Sequence, residues 1–298
     1  MDEREALRRL ATDLPHAGDD AAVVDGTVIT TDMLHERTDF PSGTTRYTAG
    51  WRAVGASLSD VAAMGADATA AVAVYADVAF DPDELNAFLE GARDVCAAVD
   101  AEYVGGDLDT HQEFTTATTA FGEAAGPVYR SGASAGDAVC VTGEWGRSAA
   151  ALRLFEAGDE AAVERANELF RFTPRVAAGR ALSGRATAMM DSSDGLARSL
   201  HQLAEASEVG FGIDRDAVPA HEAVSDVAEG PGDRWELAAH FGEDFELVAT
   251  VPEAELAAVR EASPTPITRI GTVEPSAAGI TVDGEALPDR GYTHGDGY

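Results

Sequence analysis

Five short runs place aspartate beside Gly, Ser or Thr: Gly18-Asp19-Asp20, Thr30-Thr31-Asp32, Ser59-Asp60, Gly105-Gly106-Asp107 and Asp191-Ser192-Ser193-Asp194-Gly195. Small neighbours let the backbone approach a ligand closely. Most of these positions fall where a strand or its turn ends, so short carboxylates from separate strands can converge on one point. Converging carboxylates require cations. Hard oxygen ligands without nearby His or Cys suit Mg²⁺ or Mn²⁺ better than zinc, and Mg²⁺ commonly joins one or two carboxylates to substrate phosphates. Asp60 adds to this, because it falls in the last part of a helix, where the macrodipole disfavours negative charge and a bound metal removes that cost.

Fifty-three acidic residues against 21 basic ones give a formal charge of -32 and a pI near 4.3. A carboxylate at an arbitrary position in such a chain is a solvated surface charge, so placement decides which ones are not. A calcium loop starting at Asp107-Leu108-Asp109 fails on spacing, since Gln112 stands where glycine is needed and Thr118 where the closing glutamate belongs. The seven histidines show no paired metal spacing. Ser193 or Asp194 reads either as an ordinary cap of the helix that follows or, with Asp191 beside it, as a cation or phosphate site at that helix start. Arg130-Ser131-Gly132 offers an arginine fork for a nucleotide phosphate, or a surface arginine balancing acids. Glu243 or Asp244 faces the same cleft, or simply ends a turn.

All 21 basic residues are arginine. Without lysine there is no P-loop, no protein-kinase strand lysine and no Schiff-base amine, so three large mechanisms fall away together. The missing lysine and the acidic excess fit a high-salt cytoplasm, where screening tolerates the self-repulsion. So negative a surface repels nucleic acid and anionic membranes. Cys96 and Cys140 are too few for a disulfide framework or a zinc site and read as small core residues. The charged start and the absence of any apolar run near the ~20 residues that span a bilayer lead to the expectation of a cytoplasmic protein.

The elements that must position these residues alternate between strand and helix. Glu3 to Leu10 reads as a short polar helix, and Ala21 to Thr31 as a hairpin turning at Asp25-Gly26, whose second strand delivers Asp32. From Ala49, residues Trp51, Val54, Leu58 and Val61 recur at helical spacing, with Gly65 as the stop. A strand follows over Ala70 to Ala76, then a helix over Asp83 to Val99. A strand over Glu102 to Val104 breaks at Gly105-Gly106-Asp107, and a Thr-rich strand spans Phe114 to Gly122. Gly126 to Asp137 is rich in turn formers and reads as the passage between two domains, 1–135 and 136–298. The second half repeats the alternation: strand Ala138 to Thr142, helix Ser148 to Ala157, a helix after Pro174, strand Thr187 to Met190, helix Leu196 to Ala206 and strand Phe245 to Val251. The expected fold class is α/β (α+β), each domain a mixed sheet covered by helices.

In this order the pieces resemble the thiamine-monophosphate kinases, in the superfamily that includes aminoimidazole ribonucleotide synthetase. The matching stretches are Gly-Asp-Asp-Ala-Ala-Val (18–23), Thr-Thr-Asp-Met-Leu (30–34), Ser-Asp-Val-Ala-Ala-Met-Gly-Ala (59–66), Gly-Gly-Asp (105–107), Arg-Ser-Gly-Ala (130–133), Gly-Asp-Ala-Val-Cys-Val-Thr-Gly (136–143), Asp-Ser-Ser-Asp-Gly-Leu (191–196) and Gly-Glu-Asp-Phe-Glu-Leu (242–247). The resemblance implies a two-domain aminoimidazole ribonucleotide synthetase-like fold and ATP-dependent phosphorylation of thiamine monophosphate. It implies Mg²⁺ ligands at Asp20, Thr30, Thr31, Asp32, Asp60, Asp107, Asp191 and Asp194, and ATP contacts at Gly106, Asp107, Arg130 and Ser193, with Arg130 and Asp107 closest to the chemistry. Substrate contacts fall on Asp39, Glu243 and Tyr292. It also implies a homodimer paired through the N-terminal sheets, with ATP in the cleft between N- and C-terminal domains.

This chain departs from the family pattern at Asp39, where many relatives have histidine, at Ser199, where aspartate is usual, and at Pro15-His16-Ala17 before Gly18. Within the superfamily, a selenide-activating enzyme needs an early cysteine, whereas the first one here is Cys96, and a hydrogenase-maturation protein needs a C-terminal cysteine, whereas this chain ends at Tyr298. The Ser-Asp-Val-Ala-Ala-Met-Gly run disfavours the synthetase. A non-catalytic nucleotide-binding protein would bind Mg-ATP without turnover.

Overall fold

The turn at Asp25-Gly26 has φ of 51° and 84° at its two residues, the pair of positive values that a two-residue type I′ hairpin needs. It joins strand β1 (Ala22–Val24) to β2 (Thr27–His35). The computed structural model describes residues 9–10, 13–14 and 16–291, so most of the helix expected over Glu3 to Leu10 lies outside the described residues.

A one-turn helix, α1 (Glu36–Asp39), leads to the central helix α2 (Arg46–Ala63). This helix starts three residues before the expected Ala49, because the Thr45 hydroxyl accepts from the amide of Thr48 and caps it there. It stops at Gly65 (φ 66°), where the Gly65 amide bonds to the Ala62 carbonyl and the Ala66 amide to the Val61 carbonyl. Those two bonds are the Schellman arrangement, which requires a left-handed residue at this place.

Strands β3 (Asp67–Asp77), β4 (Glu102–Thr110) and β5 (Thr115–Glu123), with helix α3 (Pro82–Ala97), complete the first layer. The sheet order is β1-β2-β5-β3-β4, antiparallel except for the β3–β4 pair. β4 corrects the sequence expectation: it does not break at Gly105-Gly106-Asp107 but continues to Thr110. The register slips between Ala71 and Val72, leaving Val104 as an extra residue, and Gly105 (φ 145°) absorbs the bulge.

The second half builds a seven-stranded sheet from β6 (Ala138–Thr142), β7 (Ala188–Asp191), β8 (Val209–Ile213), β9 (Leu247–Val251), β10 (Ile267–Pro275), β11 (Ile280–Val282) and β12 (Glu285–Ala286), in the order β12-β11-β8-β10-β6-β9-β7. Its helices are α4 (Arg147–Ala157), α5 (Glu160–Phe170), α6 (Val176–Leu182), α7 (Leu196–Ser207), α8 (Glu222–Val227), α9 (Pro231–Ala239) and α10 (Leu256–Ala262). α5, β8, α8, α9 and everything after Val251 escaped the sequence reading. β9 begins at Leu247 rather than Phe245, because Phe245 sits at φ 53°, outside strand geometry.

The largest apolar core is not confined to one sheet. Val54, Leu58, Val61 and Ala62 of α2 pack with Ala71 and Ala120 of the first sheet and also with Met189, Leu247 and Ala249 of the second. α2 therefore lies between the sheets and belongs to both cores, which brings its polar side chains to the boundary.

Candidate active site

Alternation along β2 sends Thr30 and Asp32 toward α2 and Thr31 to the opposite face. The Thr30 hydroxyl donates to Asp60 Oδ2 at 2.5 Å and lies 3.5 Å from the backbone oxygen of Asp20. Asp32 Oδ2 accepts from Ser57 Oγ at 3.2 Å, and the Ser57 and Thr118 hydroxyls meet at 2.7 Å. Thr31 instead donates to the Thr118 carbonyl at 2.8 Å, away from this group.

Asp20, Asp60 and Asp191 each offer one carboxylate oxygen, and the three oxygens all lie within 4.8 Å of one another. Asp20 comes from the chain before the hairpin, Asp60 from the last turn of α2, and Asp191 from the end of β7, opposite Leu247. Burial pushes the carboxyls of Asp60 and Asp191 well above the usual range, and neighbouring charge adds to it, chiefly from Asp32 on Asp60 and from Asp20 on Asp191. Burial also raises Asp32, with Glu243 contributing. Asp191 is 1% exposed and its Oδ2 has no hydrogen-bond partner among the described residues. A buried carboxylate with an unpartnered oxygen, set beside two more carboxylates, fits a hard divalent cation.

Arg130 closes this group. Its Nη2 donates to Asp20 Oδ1 at 2.8 Å and its Nε to Asp20 Oδ2 at 3.3 Å, a two-point fork, while its backbone amide donates to Asp19 Oδ1 at 2.6 Å. Ser193 and Asp194 lie half-buried in the loop after β7. The cap position of α7 is Gly195 (φ 102°), so Asp194 and Ser193 stand one and two residues before it.

A second loop is laced to the first: the Glu243 amide donates to the Ser193 carbonyl at 2.6 Å and the Phe245 amide to the Ser192 carbonyl at 3.1 Å. The approach demands glycine at 242, where a Cβ would stand 2.1 Å from the Ser193 carbonyl oxygen. Asp244 turns inward and accepts from the amides of Gly146 and Ser148 at 2.5 and 2.9 Å, tying the loop to the start of α4.

Beside these carboxylates lies a pocket of about 460 Å³ lined by Leu34, Asp39, Leu152, Phe170, Phe241 and Glu243, among others. Asp39 and Glu243, two of the expected substrate residues, thus share one cavity. Asp39 also accepts from the His35 amide at 2.7 Å, which shapes the turn into α1. Gly291 reaches the same pocket, but Tyr292 lies outside the described residues.

Asp107 and Gly106 are not brought to the cluster within this chain. Gly106 pairs with Ala73, Ala73 with Thr118 and Thr118 with Asp32, so three strand spacings, roughly 14 Å, separate β4 from Asp32. Asp107 is exposed on the edge strand, where it accepts from the Leu108 amide. Sequence reasoning missed Ser57, Arg52 and the pair of half-buried Arg175 with buried Glu246. The one available signal was Arg52, a charge inside the apolar stripe of α2.

The N-terminal domain model described as AIR synthase related protein matches residues 18–124, and its C-terminal counterpart matches 134–283. A thiamine-monophosphate kinase of Halobacterium salinarum is 60% identical over 294 residues, covering 99% of this chain and 100% of that protein. The one of Methanospirillum hungatei is 39% identical, covering 99% of both. The solved structure of AaThiL complexed with AMPPCP and TMP superposes with a TM-score of 0.87 at 28% identity, over 98% of this chain and 97% of that one.

Proposed function

From the premise that the chain belongs to the AIR synthase-related family, among its thiamine-monophosphate kinases, we propose that the Asp20–Asp60–Asp191 cluster holds the Mg²⁺ of the reaction and that the adjoining pocket takes the acceptor. The enzyme transfers the γ-phosphoryl group of ATP to thiamine monophosphate, giving thiamine diphosphate. The observation that carries the metal assignment is the convergence of three carboxylates from three distant segments, one of which, Asp191, is buried and has an oxygen without a hydrogen-bond partner among the described residues.

The acceptor phosphate has its second pKa near 6 and is mostly a dianion at neutral pH, so its oxygen can attack without a general base. The obstacle is repulsion between two polyanions. Mg²⁺ held by Asp20, Asp60 and Asp191 supplies the charge that offsets this repulsion. Arg130, fixed at its amide by Asp19 and at its fork by Asp20, keeps N–H groups free for a phosphoryl oxygen and contributes fixed positive charge where negative charge gathers. Thr30, Asp32 and Asp194 serve as further oxygen donors and Ser193 takes the nucleotide side, whereas Thr31, expected from the sequence among the ligands, turns its side chain to the other face of β2. Asp39 and Glu243, the latter paired with Arg52, place carboxylates in a pocket that Arg37 also lines, and Phe170 and Phe241 give it aromatic walls that suit the cationic thiazolium of the acceptor.

We assign residues 1–135 and 136–298 as the two domains, supported by the separate family matches to each part. We further propose a homodimer in which Asp107 serves the site of the second copy. Among the described residues, β1 covers only Thr27 to Ile29 of β2, so the far edge of Thr30 to His35 is open, as is the outer edge of β4. The sheet face turned away from α2 exposes Ile29, Met33 and Val74. Two copies pairing β4 to β2 would close both edges into one barrel and bring Asp107 beside Asp32 of the second copy. The ATP requirement and two buried free cysteines suit the cytoplasm, and the lysine-free, acidic surface suits high salt.

The test follows thiamine diphosphate chromatographically after incubation with Mg-ATP and thiamine monophosphate in molar KCl, with an Asp60→Asn sample alongside. Product and ADP from the wild type but not the variant supports the metal assignment; equal turnover by Asp60→Asn overturns it.

A further inference from the structure

Arg52 is 1% exposed and sits on α2 between the two sheets. Burying a guanidinium is costly unless it is bonded and paired. Its Nη1 donates to the Phe170 carbonyl at 2.7 Å, and its Nη2 donates to the Glu243 carbonyl at 2.9 Å and to Glu243 Oε2 at 2.5 Å. The guanidinium carbon also lies over the Phe170 ring, 3.6 Å from its centroid, with the Phe172 and Phe245 rings at 5.5 and 5.4 Å. Both residues it grips, Phe170 and Glu243, line the 460 Å³ pocket, while Arg52 itself does not.

Glu243 has φ 73° and Phe245 φ 53°, left-handed conformations that side-chain-bearing residues adopt only when held. Arg52 holds Glu243 at its carbonyl and its carboxylate together, and the Ser148 hydroxyl adds a bond to the same carbonyl at 2.6 Å. Eight residues further along the same helix is Asp60, and between them Ser57 bonds Asp32. One rigid element therefore fixes the spacing between an acidic wall of the pocket and the carboxylate cluster.

We infer that Arg52 is a positioning residue for the phosphoryl acceptor: acting through Glu243 and Phe170, it sets where thiamine monophosphate sits relative to the carboxylates. This rests on assigning the pocket to the acceptor. Lysine in its place would offer a compact ammonium that cannot span both carbonyls in one plane.

The test compares Arg52→Lys, Arg52→Met, Glu243→Gln and the Arg52→Met/Glu243→Gln pair, measuring KM for thiamine monophosphate and for Mg-ATP separately, with melting temperature as a folding control. Arg52→Met is expected to raise the acceptor KM by about tenfold or more, the scale of a lost hydrogen bond to a charged group, with Arg52→Lys intermediate. KM for Mg-ATP should stay within about twofold, and the pair should be less than additive, since the two residues act as one unit. Equal losses for both substrates, or strict additivity, overturns the inference; if Arg52→Met does not fold, Arg52→Lys with Glu243→Gln carries the same cycle. Leu152→Trp, which fills the pocket, separates the two levels. An unchanged acceptor KM in Leu152→Trp removes the pocket assignment and the inference with it, whereas a raised KM there with unaffected Arg52 variants removes the inference alone.

Discussion

The guanidinium of Arg130 grips both oxygens of Asp20, at 2.8 and 3.3 Å, although Asp20 also belongs to the carboxylate cluster. One side chain thus links the cation site to the positive charge expected to meet the transferred phosphoryl group.

Arg130→Lys tests that link. Lysine keeps the charge but cannot form the two-point fork, so kcat should fall by about a hundredfold, the scale of losing one oriented electrostatic contact. Steady-state kinetics at saturating Mg²⁺ checks this, and a change below about threefold would remove Arg130 from the chemistry.

The raised carboxyls of Asp60 and Asp191 predict competition between Mg²⁺ and protons. Burial and mutual repulsion make these groups hold protons to higher pH, and a cation displaces them. Mg²⁺ affinity should therefore strengthen as pH rises from 5 to 8, by about tenfold for each pH unit over which binding displaces one proton. Calorimetry in buffers of different ionisation enthalpy should register the released protons, and pH-independent affinity would contradict the cluster assignment.

Asp244, fully enclosed at the start of α4, is pushed up to about 6 by burial, against the two backbone amides that favour its charge. A carboxyl raised in the folded state stabilises the fold below its unfolded pKa, and that contribution is lost as pH climbs through the folded value. Between pH 4 and 7 the melting temperature of the wild type should thus fall relative to Asp244→Asn. Parallel curves for the two proteins would show that Asp244 does not titrate in this window.

Asp107 should act between copies. Asp107→Asn and Asp60→Asn are each expected to be nearly inactive as pure proteins, and mixing them through a dissociation cycle should restore activity, since some hybrid dimers carry one intact site. Activity that stays absent in the mixture would place Asp107 in its own chain's site or outside any.

The aspartates were legible because their neighbours betrayed them: Gly, Ser and Thr beside carboxylates at element ends mark backbone that approaches a ligand, and the strands of the first sheet and helices α2 and α3 followed from periodicity and turn residues. What periodicity lacks is sheet order. Nothing in Gly105-Gly106-Asp107 says that β4 is an edge strand three positions from β2, so the distance between Asp107 and Asp32 emerged only from the pairing. Arg52 stayed hidden for a related reason. Its partners, Phe170 and Glu243, are 118 and 191 residues away, and a buried charge is intelligible only once its bonds are known. The helix α5 was missed because its buried face is carried by Ala166, Asn167 and Phe170, a pattern too poor in large apolar side chains to stand out.

Helix α2 contributes Val54, Leu58 and Val61 to a core that also contains Met189 and Leu247, and it carries Arg52, Ser57 and Asp60. Neither sheet can lose its grip on this helix without uncovering the other. The two halves should consequently unfold together in one cooperative transition, and a cavity cut beneath the second sheet would loosen Asp60 as surely as one cut beneath β2.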